Sequence, residues 1–154
     1  MVELEHNIDN FAFQASGGLQ GTLKDFRGKW VVLYFYPKDS TPGCTTEGQD
    51  FRDNIEAFNQ LNAVILGLSR DSLKSHENFI AKQQLPFALI SDADESICQL
   101  FDVIKMKNNF GRQVRGIERS TFIICPEGKL RRAWRKVKVK DHVQEVLETL
   151  SSLR

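Results

Sequence analysis

The 154-residue chain has little of what several protein classes require. Its three cysteines, Cys44, Cys98 and Cys125, are an odd number and form no Cys-x-x-Cys pair. That argues against a disulfide framework and against a thiolate zinc site. The three histidines, His6, His76 and His142, are far apart and show no ligand spacing, so neither a metal nor another cofactor is expected. Neither sign of charge is in excess: 21 Lys and Arg face 20 Asp and Glu. No global field therefore favours nucleic acid or a membrane surface. No apolar run is long enough to span a bilayer, and Met1–His6 reads as no secretory segment. The expectation is a cytoplasmic protein with no nucleic-acid or membrane partner. There is no internal repeat, low-complexity tract or linker, and the length suits one domain, 1–154.

What is present is an alternation of strand and helix patterns. Trp30–Phe35 is continuous, β-branched and aromatic, which suits a strand buried on both faces. Ala63–Leu68 and Phe87–Ile90 read the same way. Between them, Glu47–Leu61 carries Phe51, Ile55 and Phe58 at helical spacing. A second helix is expected from Asp71 or Ser72 to Gln83, with Leu73, His76 and Ile80 on one face and Pro86 beyond its end. A third starts at Ser91 or Asp92 and turns Ile97, Cys98 and Phe101 inward. Asp102–Gly116 reads as an exposed loop, with Asn108-Asn109 and scattered charge. Arg119–Cys125 is a strand, Pro126–Lys129 a turn and Leu130–Val139 a further strand. Asp141–Leu153 is an amphipathic helix. Near the N-terminus Ile8, Phe11 and Phe13 alternate ahead of Gly17-Gly18, which marks a β-hairpin, and Thr22–Phe26 suits a short helical turn. The expected fold class is α/β, with a central mixed β-sheet flanked by helices.

The chemistry concentrates at Tyr36-Pro37-Lys38-Asp39-Ser40-Thr41-Pro42-Gly43-Cys44-Thr45-Thr46-Glu47. Thr41 suits an N-cap and Pro42 the first helical position. Cys44 then falls in the first turn of a helix, at the end of a buried strand. First-turn N–H groups lack intrahelical partners, and the helix dipole favours negative charge there. A thiol in that place ionises more easily, and the thiolate is the nucleophile. A free cysteine is nonetheless most often a small buried core residue, and the turn alone leaves both readings open. Cys98, on an apolar helix face, and Cys125, at a strand end, read as core.

The string YFYPKDSTPGCTTEGQDFRD, with Thr41-Pro42-Gly43-Cys44 as its Thr-x-x-Cys, resembles the active-site segment of peroxiredoxins. Within that family it is similar to peroxiredoxin Q, the bacterioferritin comigratory proteins. The likeness runs from about Leu19 to the C-terminus and includes VILGLSRD, LPFALISD, GIERSTFII and PEGKL. It implies a thioredoxin-like fold and a cytoplasmic antioxidant enzyme: a thiol-dependent peroxidase acting on hydrogen peroxide and organic hydroperoxides. Cys44 would be oxidised to a sulfenic acid. Arg119 would stand beside it, stabilising thiolate and peroxide oxygens, and Thr41 would donate its hydroxyl to the peroxide. Pro42 and Gly43 would complete the substrate site, Pro42 as a shield and Gly43 through its N–H. Tyr36, Pro37 and Glu47 would lie around it. The resemblance leans towards a monomer.

Ionisation cannot be the whole mechanism. Lowering a thiol pKa from about 8.5 to about 6 raises its thiolate fraction at pH 7 roughly thirtyfold. The accompanying loss of nucleophilicity, at a Brønsted slope near 0.45, is about thirteenfold. The remainder has to come from holding the O–O bond and stabilising transition-state charge.

The chain departs from the family in one respect. The usual resolving-cysteine positions are occupied by Gln49 and Ile80. An external thiol reductant (thioredoxin, glutaredoxin or glutathione) is therefore expected. Two rivals remain. A disulfide oxidoreductase would want a second cysteine three positions after the first, near Thr46-Glu47. A redox sensor or binding module without turnover would use the same fold. The cationic run Lys129, Arg131, Arg132, Arg135, Lys136, Lys138 and Lys140 around Trp134 reads as a solvated hairpin.

Overall fold

The computed structural model describes residues 1–154. Its centre is a five-stranded sheet built from β3 (Trp30–Phe35), β4 (Ala63–Ser69), β5 (Ala88–Ser91), β8 (Ser120–Ile124) and β9 (Leu130–Trp134). The order is β5-β4-β3-β8-β9, with β3, β4 and β5 parallel and β8 and β9 antiparallel to their neighbours. The sheet is thus mixed, and β3 is its middle strand.

Along β3 the side chains alternate between two cores. Val31, Leu33 and Phe35 enter one, with Phe13, Phe101 and Phe122. Trp30, Val32 and Tyr34 enter the other, with Phe51, Phe58, Phe79 and Val146. Both faces are covered, which is why this strand is apolar at every position. Helices α1 (Pro42–Asp53), α2 (Ile55–Gln60), α3 (Leu73–Gln83) and α5 (His142–Leu153) cover the second face. The N-terminal hairpin, β1 (Ala12–Gln14) with β2 (Gln20–Thr22), and helix α4 (Ser96–Leu100) cover the first. The hairpin and the short helical turn at Leu23–Phe26 lie where the sequence places them.

Several expectations are corrected. The helix expected through Leu61 breaks at Asn54, whose side-chain amide donates to the Asp50 carbonyl at 2.8 Å. Such local bonding competes with helix propagation. Leu73 is exposed, and α3 turns His76 and Phe79 inward instead. That helix stops at Gln84, which is left-handed (φ 55°), two residues before Pro86. Helix α4 starts only at Ser96, because the Asp92 carboxylate holds the N–H groups of Ile97 and Cys98 at 3.1 and 2.7 Å. The last strand ends at Trp134 rather than Val139. There the Arg135 guanidinium binds the carbonyls of Phe101 and Asp102, and Lys136 is left-handed (φ 51°).

The largest correction is at 102–116. It is a hairpin, not a loop: β6 (Ile104–Asn109) pairs antiparallel with β7 (Arg112–Ile117). Phe110 and Gly111 close it with φ of 53° and 80°, and two consecutive positive φ values match the right-handed twist of a hairpin.

Candidate active site

The site forms where β3 ends. The chain leaves the sheet after Phe35, turns through Pro37–Ser40 and enters α1 at Pro42. Thr41 is extended (φ −79°, ψ 155°), and its carbonyl accepts the first helical bond from Thr45 at 2.9 Å. Cys44 is the third residue of α1, so its N–H and that of Gly43 have no helical acceptor. Its side chain is only 2% exposed.

Strand register delivers the arginine. In the β3–β8 pair Phe35 stands opposite Ser120, so Arg119 lies beside the start of the active-site turn. Its carbonyl accepts from the Val137 N–H at 3.0 Å, which fixes the backbone. Nη2 of Arg119 donates to Cys44 Sγ at 3.4 Å, and Nη1 donates to Glu47 Oε1 at 2.7 Å. One fork therefore joins the thiol to a carboxylate one helical turn further on.

Gly43 makes that approach possible. A Cβ there would sit 3.2 Å from Arg119 Nη2, tighter than ordinary van der Waals contact, and 4.0 Å from Val139. The guanidinium crosses the helix start through the space a side chain would fill.

Glu47 is fully buried. Burial pushes its carboxyl up to about 7; Arg119 pulls it down by charge and hydrogen bond, and Asp50 adds to the rise. Its Oε2 has no partner. For Arg119, burial opposes the charge, but Glu47 and Cys44 outweigh it and raise the guanidinium above its ordinary value.

Thr41 differs from expectation. Its hydroxyl donates to the Lys38 carbonyl at 2.9 Å, so the proton is committed and the lone pairs remain open. Tyr36 also turns away: its hydroxyl donates to Asp39 Oδ1 at 2.6 Å, not towards Cys44. Pro37 is half-buried in the turn.

Three neighbours were not singled out from the sequence. Tyr34 stacks on Phe51 at 4.6 Å, and its buried hydroxyl has no partner. Burial raises it well above its ordinary value, with Glu47 and Cys44 adding to the rise. Lys107, on β6, is lowered by burial first and by Arg119 next, while Cys44 opposes. The hairpin read as a free loop thus brings a cation within the field of the site. The third is His76. Asp39, Asp71 and His76 bring one ligand atom each within 4.8 Å of one another. Those atoms are taken: His76 Nδ1 faces Asp39 Oδ2 at 2.7 Å, and Asp71 Oδ2 accepts from Ser69 Oγ and the Asp39 N–H at 2.6 and 2.9 Å.

The other cysteines are placed apart from Cys44. Cys98 belongs to the opposite core. Cys125 shares the core of Cys44 but follows Ile124, which pairs with Val31 at the far end of β3. Val31 to Phe35 alone spans roughly 13 Å at the rise of a strand, beyond the roughly 7 Å Cα limit for a disulfide. Gln49 Nε2 donates to Gln83 Oε1 at 2.9 Å, and Ile80 packs half-buried on the same core. The arginines of the cationic run are engaged within the chain: Arg132 lies 4.7 Å over Trp134, Arg131 5.9 Å over Trp30, and Arg135 holds two carbonyls.

Comparison with known proteins points the same way as the geometry. The AhpC/TSA family model matches residues 4–133. Peroxiredoxin Bcp of Xanthomonas campestris pv. campestris is 55% identical over 152 residues, covering 99% of this chain and 95% of its own. Peroxiredoxin Bcp of Bacillus subtilis is 50% identical, covering 99% and 97%. The solved bacterioferritin comigratory protein of Xanthomonas campestris, described for its alkyl peroxide reduction activity, superposes with a TM-score of 0.90. It is 54% identical and covers 99% of this chain and 98% of that one. With a mixed thioredoxin-like sheet and this near full-length identity, the chain belongs to the AhpC/TSA family, as a thiol-dependent peroxidase of the Bcp, or peroxiredoxin Q, type.

Proposed function

We propose that the chain reduces hydrogen peroxide and organic hydroperoxides through a sulfenic acid at Cys44 and relies on an external thiol to restore it. The observation that carries this reading is the Arg119 guanidinium on Cys44 Sγ at 3.4 Å, at a helix start with free N–H groups. The thiolate attacks the nearer oxygen of ROOH. An S–O bond forms, the O–O bond breaks, and the departing RO⁻ takes a proton to leave as water or alcohol. Arg119 and the N–H groups of Gly43 and Cys44 bind the oxygens as charge moves onto them. Thr41 accepts a hydrogen bond from the peroxide O–H, because its own proton goes to Lys38. Pro42 shields the sulfur from bulk water. Glu47 holds the Arg119 fork; Tyr36 and Pro37 shape the turn.

One thiol then condenses with the sulfenic acid to give a mixed disulfide and water, and a second thiol releases Cys44. Thioredoxin, glutaredoxin and glutathione all offer that chemistry. Two features support an external reductant: Gln49 and Ile80 stand at the resolving positions, and Cys98 lies behind the sheet. No helix is long and apolar enough to cross a membrane. The proposal includes a cytoplasmic monomer, and its one domain over 1–154 is supported by a central five-stranded sheet with a core on each face.

The test is a coupled assay with dilute peroxide and excess thiol. Continuous turnover that is lost in Cys44→Ser supports the reading. One equivalent consumed and then no further turnover would make the protein a sensor.

A further inference from the structure

The turn that delivers Thr41 and Cys44 is tied down by a buried polar cluster outside the peroxide site. Asp39 lies midway between β3 and α1 and is buried. Its Oδ1 accepts from the Tyr36 hydroxyl at 2.6 Å, and its Oδ2 accepts from Ser75 Oγ at 2.8 Å and faces His76 Nδ1 at 2.7 Å. Its own N–H donates to Asp71 Oδ2 at 2.9 Å. The other nitrogen of His76, Nε2, is 2.9 Å from the Ile90 carbonyl on β5. Each ring nitrogen thus faces a hydrogen-bond acceptor, and His76 and Asp39 form a buried pair. The cluster joins β3, the turn, the end of β4, α3 and β5.

Such a cluster is an uneconomical way to gain stability. A buried, charged pair is often no better than well-packed apolar residues of similar volume. What directional bonds add is a fixed conformation. The turn needs one: Ser40, the residue after Asp39, is held at φ 65°, a strained value for a residue with a Cβ. Asp39 anchors that residue on one side, and the Thr41–Lys38 bond closes it on the other. Burial works to raise the Asp39 carboxyl, but the bonds from His76 and Tyr36, the charge of His76 and the Ser75 bond hold it below its ordinary value. The cluster therefore favours the carboxylate, the form that accepts all these bonds.

We propose that Asp39 and His76 are positioning residues of the peroxidase reaction, fixing the Lys38–Thr41 turn so that Thr41 and Cys44 meet Arg119 in a reactive arrangement. The inference rests on Cys44 being the peroxide-reacting group. A misplacement of about 1 Å in such an arrangement is worth about a hundredfold in rate.

The experiment is single-turnover reaction of the reduced full-length protein with hydrogen peroxide, at a pH where Cys44 is fully ionised, with thermal unfolding measured in parallel. Asp39→Asn keeps the Tyr36 bond and the backbone bond to Asp71, so it should stay folded. Its rate constant should fall about ten- to a hundredfold and stay low as pH rises. His76→Leu leaves Asp39 buried without its partner and should lose stability. Adding Asp39→Asn to it removes the buried charge, and this double variant should regain stability without regaining rate. A folded Asp39→Asn that reacts at the wild-type rate overturns the proposal. So does a double variant whose rate returns together with its stability, because the cluster would then only hold the fold. If the wild type itself forms no oxidised Cys44, the reading of Cys44 has failed instead, and the two failures are told apart by that control.

Discussion

Cys44 and Cys98 occupy the same position in two helices and differ in what faces them. Each is the third residue of its helix, and each is buried, 2% and 0% exposed. At Cys98 the N–H donates to the Asp92 carboxylate at 2.7 Å, and burial followed by Asp92 pushes the thiol far above its ordinary value. At Cys44 no carboxylate closes the turn, and a guanidinium donates to the sulfur. If Cys44 is the peroxide-reacting group, as proposed, a helix start and burial are not enough for reactivity, and the sign of the group that completes the turn decides. Glu47, one helical turn from Cys44, does not reverse this: its Oε1 accepts from Arg119 at 2.7 Å, and burial, which disfavours its charge, raises its carboxyl to about 7.

The largest effect expected from this contrast comes from exchanging the sulfur atoms. Cys44→Ser should abolish peroxide reduction, whereas Cys98→Ala should keep the wild-type rate per folded molecule and cost about 1 kcal/mol of stability through the void it leaves. Loss of activity in a folded Cys98→Ala would break the comparison. Next comes Arg119→Ala. Removing a transition-state donor costs about a hundred- to a thousandfold. The loss should persist at a pH where Cys44 is fully ionised, and stopped-flow rates across pH would show whether it does. Full recovery there would reduce Arg119 to a tuner of ionisation.

Gly43→Ala probes the same fork more gently. The new Cβ forces Nη2 to give by a few tenths of an ångström, and a loss of about fivefold is expected from so small a displacement. A wild-type rate would mean the fork tolerates that shift. The smallest effect is on stability. Glu47 binds its proton more tightly folded, at about 7, than at its ordinary value of 4.5. Its contribution is complete below about 4.5 and is lost as pH rises through about 7. The melting-temperature advantage of wild type over Glu47→Gln should thus shrink between those values. A constant difference would mean the carboxyl is not raised.

How much of this the sequence shows depends on whether a feature is local. The run Trp30–Phe35 is legible because both its faces are buried, and α5 because Val143, Val146 and Leu150 repeat at helical spacing. Thr41-Pro42 marks the start of α1 by residue preference, with Pro42 at the first helical position, although the Thr41 hydroxyl makes no capping bond and donates to the Lys38 carbonyl instead. The hairpin 104–117 is hard to read because Ile104-Lys105-Met106-Lys107 alternates for only four residues before Asn108-Asn109, and in the second strand Val114 and Ile117 fall on opposite faces. Arg119 lies 75 residues from Cys44, and only the β3–β8 register brings them together; the sequence reaches it through family resemblance. His76 looks like one more residue on a helix face. Its meaning comes from Asp39, 37 residues earlier and across a turn whose path no periodicity describes.

In the proposed reaction Cys44 oxidises alone, with no partner sulfur inside the folded chain. Intact-mass measurement after one equivalent of peroxide, without added thiol, tests it most directly. The protein should gain one oxygen, mapped by peptides to Cys44. A loss of two hydrogens, mapped to a Cys44–Cys98 or Cys44–Cys125 bridge, would contradict it.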